Sequence, residues 1–306
     1  MKNIINYIIV NNLGDIQLNK TFKELTTLKI GGKIELVFLP NSIHSFLKFY
    51  DYAKDLNIPI FILGSGSNVL ASDEKYLGIV VSFNNLDIKY FFVQNVVTVY
   101  AGYKVAKLVS DMARHNLGGI EFLFGIPGTM GGVVAMNAGA YGKQISDILI
   151  GAVCLDRAGS IKYYTNKELQ FGYRSSLVRI KDLIVLWAII KLENKSKDII
   201  NKETKELIVK RKTTQPLNTR NAGCAFKNPK GYYAWSLIDG VGMRGAQIGE
   251  AKISKKHPNF FINERNAKAE DMLKLLKLTR NKVLEKYNIN LIYEWVLLNF
   301  HENLLM

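Results

Sequence analysis

The stretch Gly119-Ile-Glu-Phe-Leu-Phe-Gly-Ile-Pro-Gly-Thr-Met-Gly-Gly-Val-Val-Ala-Met-Asn-Ala-Gly-Ala-Tyr-Gly142 decides how the chain is read. With Gly118 it holds eight glycines, at 118, 119, 125, 128, 131, 132, 139 and 142, in a span of 25 residues. That is far above the roughly 7% glycine of average proteins. The stretch lacks the Ser/Pro character of a linker and carries apolar residues throughout, so it reads as a tightly packed loop system, not a hinge. Glycines alternating with apolar residues, one Thr and one Asn suit a backbone pressed against a flat ligand, with many N–H donors and few charges. A purely structural glycine-rich turn is harder to sustain over so long a run.

A second small-residue segment lies upstream, Leu63-Gly-Ser-Gly-Ser-Asn-Val-Leu70. It follows a short apolar strand signal, Ile60–Leu63. Small residues let the backbone turn sharply, and successive N–H groups can face one anion such as a phosphate or pyrophosphate. A tight turn explains the same residues equally well. Two phosphate-binding fingerprints fail: GxGxxG would need glycine at Val69, and the nucleotide P-loop would need a Gly-Lys-Ser/Thr that is absent.

Outward from these segments the pattern is mixed α+β. Residues 33–40 predict a strand stopped by Pro40, and Asn41 or Ser42 can cap a helix carrying Ile43, Phe46, Leu47 and Tyr50 on one face. Residues 96–102 predict a strand and 103–117 a helix, with Val105, Leu108, Val109 and Met112 at helical spacing and Gly118-Gly119 as its stop. Strands recur at 149–155, 160–164 and 182–192. The polar segment 193–212 predicts a helix and marks the best domain boundary. Beyond it, 234–241 and 267–287 predict helices, the latter with Glu270 and Asp271 in its first turn, where the helix dipole favours them. The end, Asn290–Phe300, predicts a strand.

Composition bounds the function. The chain has 306 residues, 48% apolar and 22% charged. That is globular composition at a length suited to two domains. The net charge of +15 raises nucleic acid as a partner, but the excess is mostly dispersed Lys, and the longest tight cluster is Lys210-Arg211-Lys212. A dispersed excess reads as a solvated surface. Two cysteines, Cys154 and Cys224, exclude a disulfide framework, and four widely spaced histidines argue against a His-built metal site. Cys154 sits in an apolar strand-like run and reads as core. The apolar start of the chain is short, interrupted by Asn and without a small-residue cleavage site, so it is not a signal peptide. The longest clean apolar run, Leu183–Ile190, is far below the roughly 18 residues of a membrane span. The expectation is a cytoplasmic protein with no metal, no nucleic acid and no membrane partner.

Four shorter segments complete the reading: Phe171-Gly-Tyr-Arg-Ser-Ser176, Ala222-Gly-Cys-Ala-Phe-Lys-Asn-Pro229, the run from Gly242 to Asn263, and Tyr293-Glu294-Trp295. Singly each is bland. Arg174 could be a surface ion pair, Cys224 a buried small residue, Glu294 a solvated strand-end carboxylate. Taken in order from Thr26 to Glu294, however, they resemble the UDP-N-acetylenolpyruvoylglucosamine reductase family, in its shorter form, since no long insertion follows Tyr-Arg-Ser-Ser.

The resemblance implies an α+β chain: a two-lobed FAD-binding fold of the vanillyl-alcohol-oxidase type over 1–198, made of two subdomains, then a C-terminal substrate-binding domain over 199–306. It implies that FAD is cradled by Gly64, Ser65, Gly66, Ser67 and Asn68, by Gly125, Pro127, Gly128, Thr129, Gly131 and Gly132, and by Asn137, Gly139 and Ala140. It implies a reaction in two halves in one pocket, on the path to peptidoglycan. NADPH reduces the flavin and leaves, and the enolpyruvyl ether of the UDP-sugar then takes a hydride and a proton to become the lactyl ether, UDP-N-acetylmuramate. By the same resemblance Arg174 and Glu294 steady the enolate-like charge, Cys224 delivers the proton, and Tyr173, Asn228 and Arg244 hold substrate in a monomeric enzyme. Glu294 can help only if protonated or acting through a hydrogen bond, which requires a raised pKa.

The chain departs from the family pattern at Cys224, usually Ser, at Arg244, commonly Lys, and at Pro258. A thiol, with a reference pKa of about 8.5, is a far better acid than an alcohol. Another flavin oxidase of the same fold is the runner-up, but no His lies in either glycine-rich loop to attach a flavin covalently. A nucleic-acid-binding protein would rest on charge alone.

Overall fold

Pro40 ends a strand and Ser42 opens a helix, and this junction shows how local chemistry sets the framework. In the computed structural model, which describes residues 1–301, the strand is Ile34–Pro40 and the helix Ile43–Asp55. The Ser42 hydroxyl accepts from the Ser45 N–H at 3.1 Å, which fixes the cap, and Phe46, Phe49, Tyr50 and Ala53 form the buried stripe. Two compact units share the chain. The first takes Met1–Leu18, Leu36–Ser65 and Gly78–Val209; the second takes Asn19–Glu35, Gly66–Leu77 and Lys210 onward.

In the first unit a five-stranded antiparallel sheet runs in the order Ile161–Thr165, Leu149–Leu155, Ile184–Lys191, Val96–Tyr100, Tyr90–Val93. A four-stranded sheet, in this unit but for Ile34, Glu35, Tyr76 and Leu77, runs Gly14–Gln17, Ile34–Pro40, Tyr76–Val81, Ile60–Ile62, the last two parallel. The helix Val105–Arg114 buries Val105, Leu108, Val109 and Met112, as the spacing predicted. It is shorter than 103–117 because the chain turns at Asn116, whose φ of +56° leaves the helical region before the glycines are reached. The N-terminal residues, unassigned by pattern, form the helix Lys2–Val10, which buries Ile4 and Ile8. Cys154 is fully buried in this core, and burial pushes its thiol pKa up to about 12.

In the second unit an antiparallel sheet runs Arg220–Cys224, Phe260–Asn263, Ala251–Ile253, Gln247–Ile248, beside the helices Ala234–Gly240 and Ala269–Tyr287. Only Val296–Leu298 of the expected C-terminal strand is extended in a ladder, pairing in parallel with Val69–Ala71. Distant segments close this unit. The buried Asn263 amide donates to the carbonyls of Leu28 and Lys29 at 3.0 and 3.1 Å. The long helix ends on Asn288 at φ +53°, a left-handed C-terminal residue.

At its other end the side chain of Lys268 provides no cap; the Asp73 carboxylate instead accepts from the Ala269 N–H at 2.7 Å. Removing a capping oxygen costs about 1 kcal/mol, and the negative charge faces the positive end of the helix dipole. Asp73→Ala is therefore expected to lower the unfolding free energy of the second unit by about 1 kcal/mol, read by urea denaturation followed at the Trp235 and Trp295 fluorescence. No change in midpoint would show that water replaces the cap at no cost.

Candidate active site

The glycines that look alike in sequence separate into two kinds. A Cβ on Gly64 would lie 2.6 Å from the Thr129 hydroxyl, and one on Gly139 would lie 2.1 Å from the Lys143 carbonyl. These glycines are required by the protein's own packing, and the first brings the loop after Ile60–Ile62 against the 128–132 loop. At Gly128 the nearest atom to such a Cβ is 3.4 Å away, and at Gly132 it is 3.7 Å away, and Gly132 is exposed. The fold does not need glycine at these two positions, so the bare backbone there is free to meet a flat ligand. The loop is itself anchored: Val105 N–H donates to the Gly128 carbonyl at 3.0 Å, Met130 N–H to Tyr103 and Gly131 N–H to Ala101, each at 2.9 Å. Thr129 is buried, while Gly125 and Pro127 are exposed beside it. Residues 130–135, expected as loop, form the short helix Met130–Ala135.

Arg174 sits in a tight turn. Gly172 and Ser175 exchange backbone hydrogen bonds at 3.0 and 3.2 Å, and Arg174 between them has φ +51°, a left-handed conformation that favours glycine. The buried Ser176 hydroxyl ties the turn to the Ala135 carbonyl at 2.7 Å. The guanidinium is directed at the 137–139 loop, with Nη2 donating to the Gly139 carbonyl at 2.9 Å and Nη1 to the Asn137 carbonyl at 3.5 Å. Tyr173 is half-exposed, with the Arg174 guanidinium 5.3 Å from its ring centre. Gly139 and Ala140 pair with Lys143 and Gln144 in a short hairpin. Asn137 is fully buried.

In the second unit Cys224 ends the strand Arg220–Cys224, just past an irregularity in register and after Gly223 at φ +74°. Glu294 lies across the backbone from the next residue, Ala225: Glu294 N–H donates to the Ala225 carbonyl at 2.8 Å and Lys227 N–H to the Ile292 carbonyl at 2.9 Å. Asn68 joins them, with its amide donating to the Glu294 carbonyl at 3.1 Å and its own carbonyl accepting from Val296 N–H at 2.9 Å. Gly66 is fixed here too, its carbonyl accepting from Thr27 N–H at 3.0 Å, while the Thr27 hydroxyl donates to the Asn221 carbonyl at 2.7 Å. Ser67 lies between Gly66 and Asn68, so the Gly64–Asn68 segment is shared, Gly64 and Ser65 belonging to the first unit and the rest to the second.

Asn259 was not assigned a role in sequence, yet it holds the Cys224 segment in place. It is buried, its side chain accepts from Phe226 N–H at 3.0 Å and donates to the Phe226 carbonyl at 2.8 Å, and its backbone carbonyl accepts from Ala225 N–H at 2.9 Å. An Asn at the head of the apolar run Phe260–Ile262 was the available signal. His257 accepts at Nδ1 from Asn259 N–H at 3.3 Å, and burial lowers its pKa, so it serves as a neutral acceptor. Asn228 accepts from Ala234 N–H at 2.9 Å at the start of the helix Ala234–Gly240. Arg244 grips Asp239 with two bonds of 2.7 Å each and donates to the Lys255 carbonyl at 2.6 Å, which holds the Asp239 carboxyl below its usual range.

Residues 34–163 match the profile of an FAD binding domain, and residues 215–298 match the profile described as UDP-N-acetylenolpyruvoylglucosamine reductase, C-terminal domain. Proteins named UDP-N-acetylenolpyruvoylglucosamine reductase are similar along nearly the whole chain. The one from Clostridium tetani is 36% identical over 92% of this chain and 92% of its own. That from Bacillus subtilis is 35% identical over 95% and 96%. The chain belongs to the UDP-N-acetylenolpyruvoylglucosamine reductase family. The crystal structure of the reductase of this name from Thermus caldophilus superposes with a TM-score of 0.77 at 33% identity, over 93% of this chain and 98% of that one.

Membership of the reductase family makes this an oxidoreductase with an FAD-binding domain followed by a C-terminal α+β domain, the fold class expected from sequence. The bare backbone at Gly128 and Gly132 fits an FAD at this reductase's glycine-rich loop. Among the described residues, no helix is long and apolar enough to cross a membrane, and no group of three or more His, Cys, Asp or Glu side chains could hold a metal ion. The two thiols of the reductase are expected to differ sharply. Cys154 is fully buried with a raised pKa, whereas Cys224 is partly exposed. Iodoacetamide at about pH 8 should label the folded protein at Cys224 alone and both thiols only after denaturation, as read by peptide mass spectrometry. Equal labelling of both in the folded state would contradict the buried placement.

Proposed function

We propose that this enzyme reduces the enolpyruvyl ether of UDP-N-acetylglucosamine to UDP-N-acetylmuramate, with NADPH as reductant, as a cytoplasmic monomer making peptidoglycan precursor for cell-wall growth and division. The observation that supports the reading is the Glu294 N–H bond to the Ala225 carbonyl, which brings the Glu294 segment alongside the backbone that carries Cys224. The chemistry that FAD would supply is two-electron transfer from NADPH to the terminal carbon of the enolpyruvyl group. FAD would be held by Gly64, Ser65, Gly66, Ser67 and Asn68, by Gly125, Pro127, Gly128, Thr129, Gly131 and Gly132, and by Gly139, Ala140 and the backbone alone of Asn137, within a cofactor region over 1–198.

The chain's own residues handle charge and proton. Hydride arriving at the terminal carbon pushes an electron pair toward the substrate carboxylate, and preorganised donors at such a charge are usually the largest catalytic effect. Arg174 supplies a fixed cationic fork for it. Glu294, in its protonated form, adds a hydrogen bond to the same charge. The Cys224 Sγ–H then donates its proton to the carbon alpha to the carboxylate, and solvent returns a proton to the thiolate. Tyr173 and, in the region 199–306, Asn228 and Arg244 position the sugar and diphosphate. Arg244 can do so with the second N–H of each terminal nitrogen, the guanidinium being held rigid by Asp239 and the Lys255 carbonyl. The net charge of +15 favours the approach of partners that all carry phosphates.

The test is by eye and by absorbance. Purified protein should be yellow, bleach with NADPH and recolour on adding the enolpyruvyl UDP-sugar. A colourless protein unable to bind FAD would overturn the reading. A second test separates flavin binding from folding. Gly132 lies in the helix Met130–Ala135, where a Cβ meets nothing nearer than 3.7 Å. Gly132→Ala is expected to leave the apoprotein as stable or up to about 1 kcal/mol more stable, while FAD affinity falls about 10-fold or more. Unchanged affinity would remove this loop from the cofactor site.

A further inference from the structure

We propose that Asn137 is a positioning residue for Arg174, and that its side chain does not bind the flavin. Asn137 is fully buried and has φ +42°. Its Nδ2 donates to the Gln144 side-chain oxygen and to the Gly172 carbonyl, both at 3.0 Å, and its Oδ1 accepts from Ser146 N–H at 3.3 Å. An amide nitrogen has two hydrogens, and both are committed. The orientation is fixed by the partners: Gly172 offers only an acceptor and Ser146 N–H only a donor, so the flipped amide would set oxygen against oxygen and N–H against N–H.

These bonds reach Arg174 from both ends. The Gly172 carbonyl belongs to the turn whose left-handed residue is Arg174, so the Asn137 side chain fixes where that turn sits. The Asn137 backbone carbonyl accepts from Arg174 Nη1 at 3.5 Å, and the Gly139 carbonyl two residues on accepts from Nη2 at 2.9 Å. One buried residue thus fixes both the backbone of the arginine and the direction of its guanidinium. Any flavin contact at this residue falls to its backbone. The inference rests on the reading of Arg174 as the group that steadies the developing charge, and it predicts an effect confined to that half of the reaction.

The experiment uses the flavin-loaded enzyme and two substitutions. Asn137→Asp keeps the shape but turns an oxygen toward the Gly172 carbonyl. Asn137→Gly removes the side chain and relieves the left-handed backbone, so it remains informative if the first variant folds poorly. Four quantities are read: flavin per chain, melting temperature, rate of bleaching by NADPH, and rate of recolouring by the enolpyruvyl UDP-sugar. We expect full flavin content, bleaching within about twofold of the parent and recolouring slowed about 10- to 100-fold, the scale of a misplaced catalytic group. Recolouring of Asn137→Asp should recover as pH falls, because a protonated carboxyl can again donate to Gly172; the parent should show no such recovery. Combined with Arg174→Ala, neither substitution should slow recolouring further.

Loss of flavin, equal slowing of both halves, or full additivity with Arg174→Ala would overturn the proposal. A distinct result marks failure of the underlying reading: an Arg174→Ala enzyme that recolours at the parent rate would remove the role of Arg174 and the proposal with it.

Discussion

Cys224→Ala is expected to slow recolouring of the reduced enzyme by the enolpyruvyl UDP-sugar about 10²- to 10⁴-fold, the usual worth of a positioned general acid. Bleaching by NADPH should be unchanged, because no proton from Sγ is needed to accept a hydride. Cys224→Ser should keep appreciable activity, since the hydroxyl can occupy the same place at the end of the strand Arg220–Cys224. It should also lose the sensitivity to alkylation that the thiol brings. The segment is held by Asn259 and by the Glu294 N–H through backbone atoms, so neither substitution disturbs the framework. Stopped-flow absorbance at the flavin band separates the two halves. An alanine enzyme that recolours at the parent rate would take the proton-donor role away from Cys224.

Arg174→Ala is expected to have an effect of similar size, about 10²- to 10³-fold on the same half. Arg174→Lys should recover only part of it. Lysine keeps the charge but not the planar fork that reaches the Gly139 and Asn137 carbonyls together. The substitution also leaves φ +51° occupied by a side chain, so the backbone is no less strained than before. Saturation of the recolouring rate with substrate distinguishes binding from chemistry. A raised half-saturation with an unchanged limiting rate would make Arg174 a binding group only.

The periodic elements were legible in the sequence because local chemistry makes them: Ser42 caps its helix, and Val105, Leu108, Val109 and Met112 repeat at helical spacing. The glycine-rich loop stood out in the sequence by composition, but sequence could not separate Gly64 and Gly139, fixed by Thr129 and Lys143, from Gly128 and Gly132, which the fold leaves bare. That distinction depends on neighbours far along the chain. The same limit hid Asn259 and Thr27, whose hydrogen bonds join segments 33 to 194 residues apart. The shortening of the C-terminal strand to Val296–Leu298 has a like cause, since extension there follows the ladder offered by Val69–Ala71 and not the apolar composition of the whole run.

The second unit is assembled from Asn19–Glu35, Gly66–Leu77 and Lys210 onward, and its core joins Leu28, Ile30 and Leu70 to Phe261, Met272 and Trp295. On the ribosome, the two early segments emerge long before their partners exist. Leu28, Ile30 and Leu70 must wait, solvent-exposed or chaperone-held, until Phe261, Met272 and Trp295 have emerged. Nascent chains therefore complete this unit only after Trp295 has been made. A gene fragment starting near residue 210 would encode a sheet and two helices without the pieces that close them. A premature stop just before Val296 would leave Val69–Ala71 as an unpaired edge, open to aggregation.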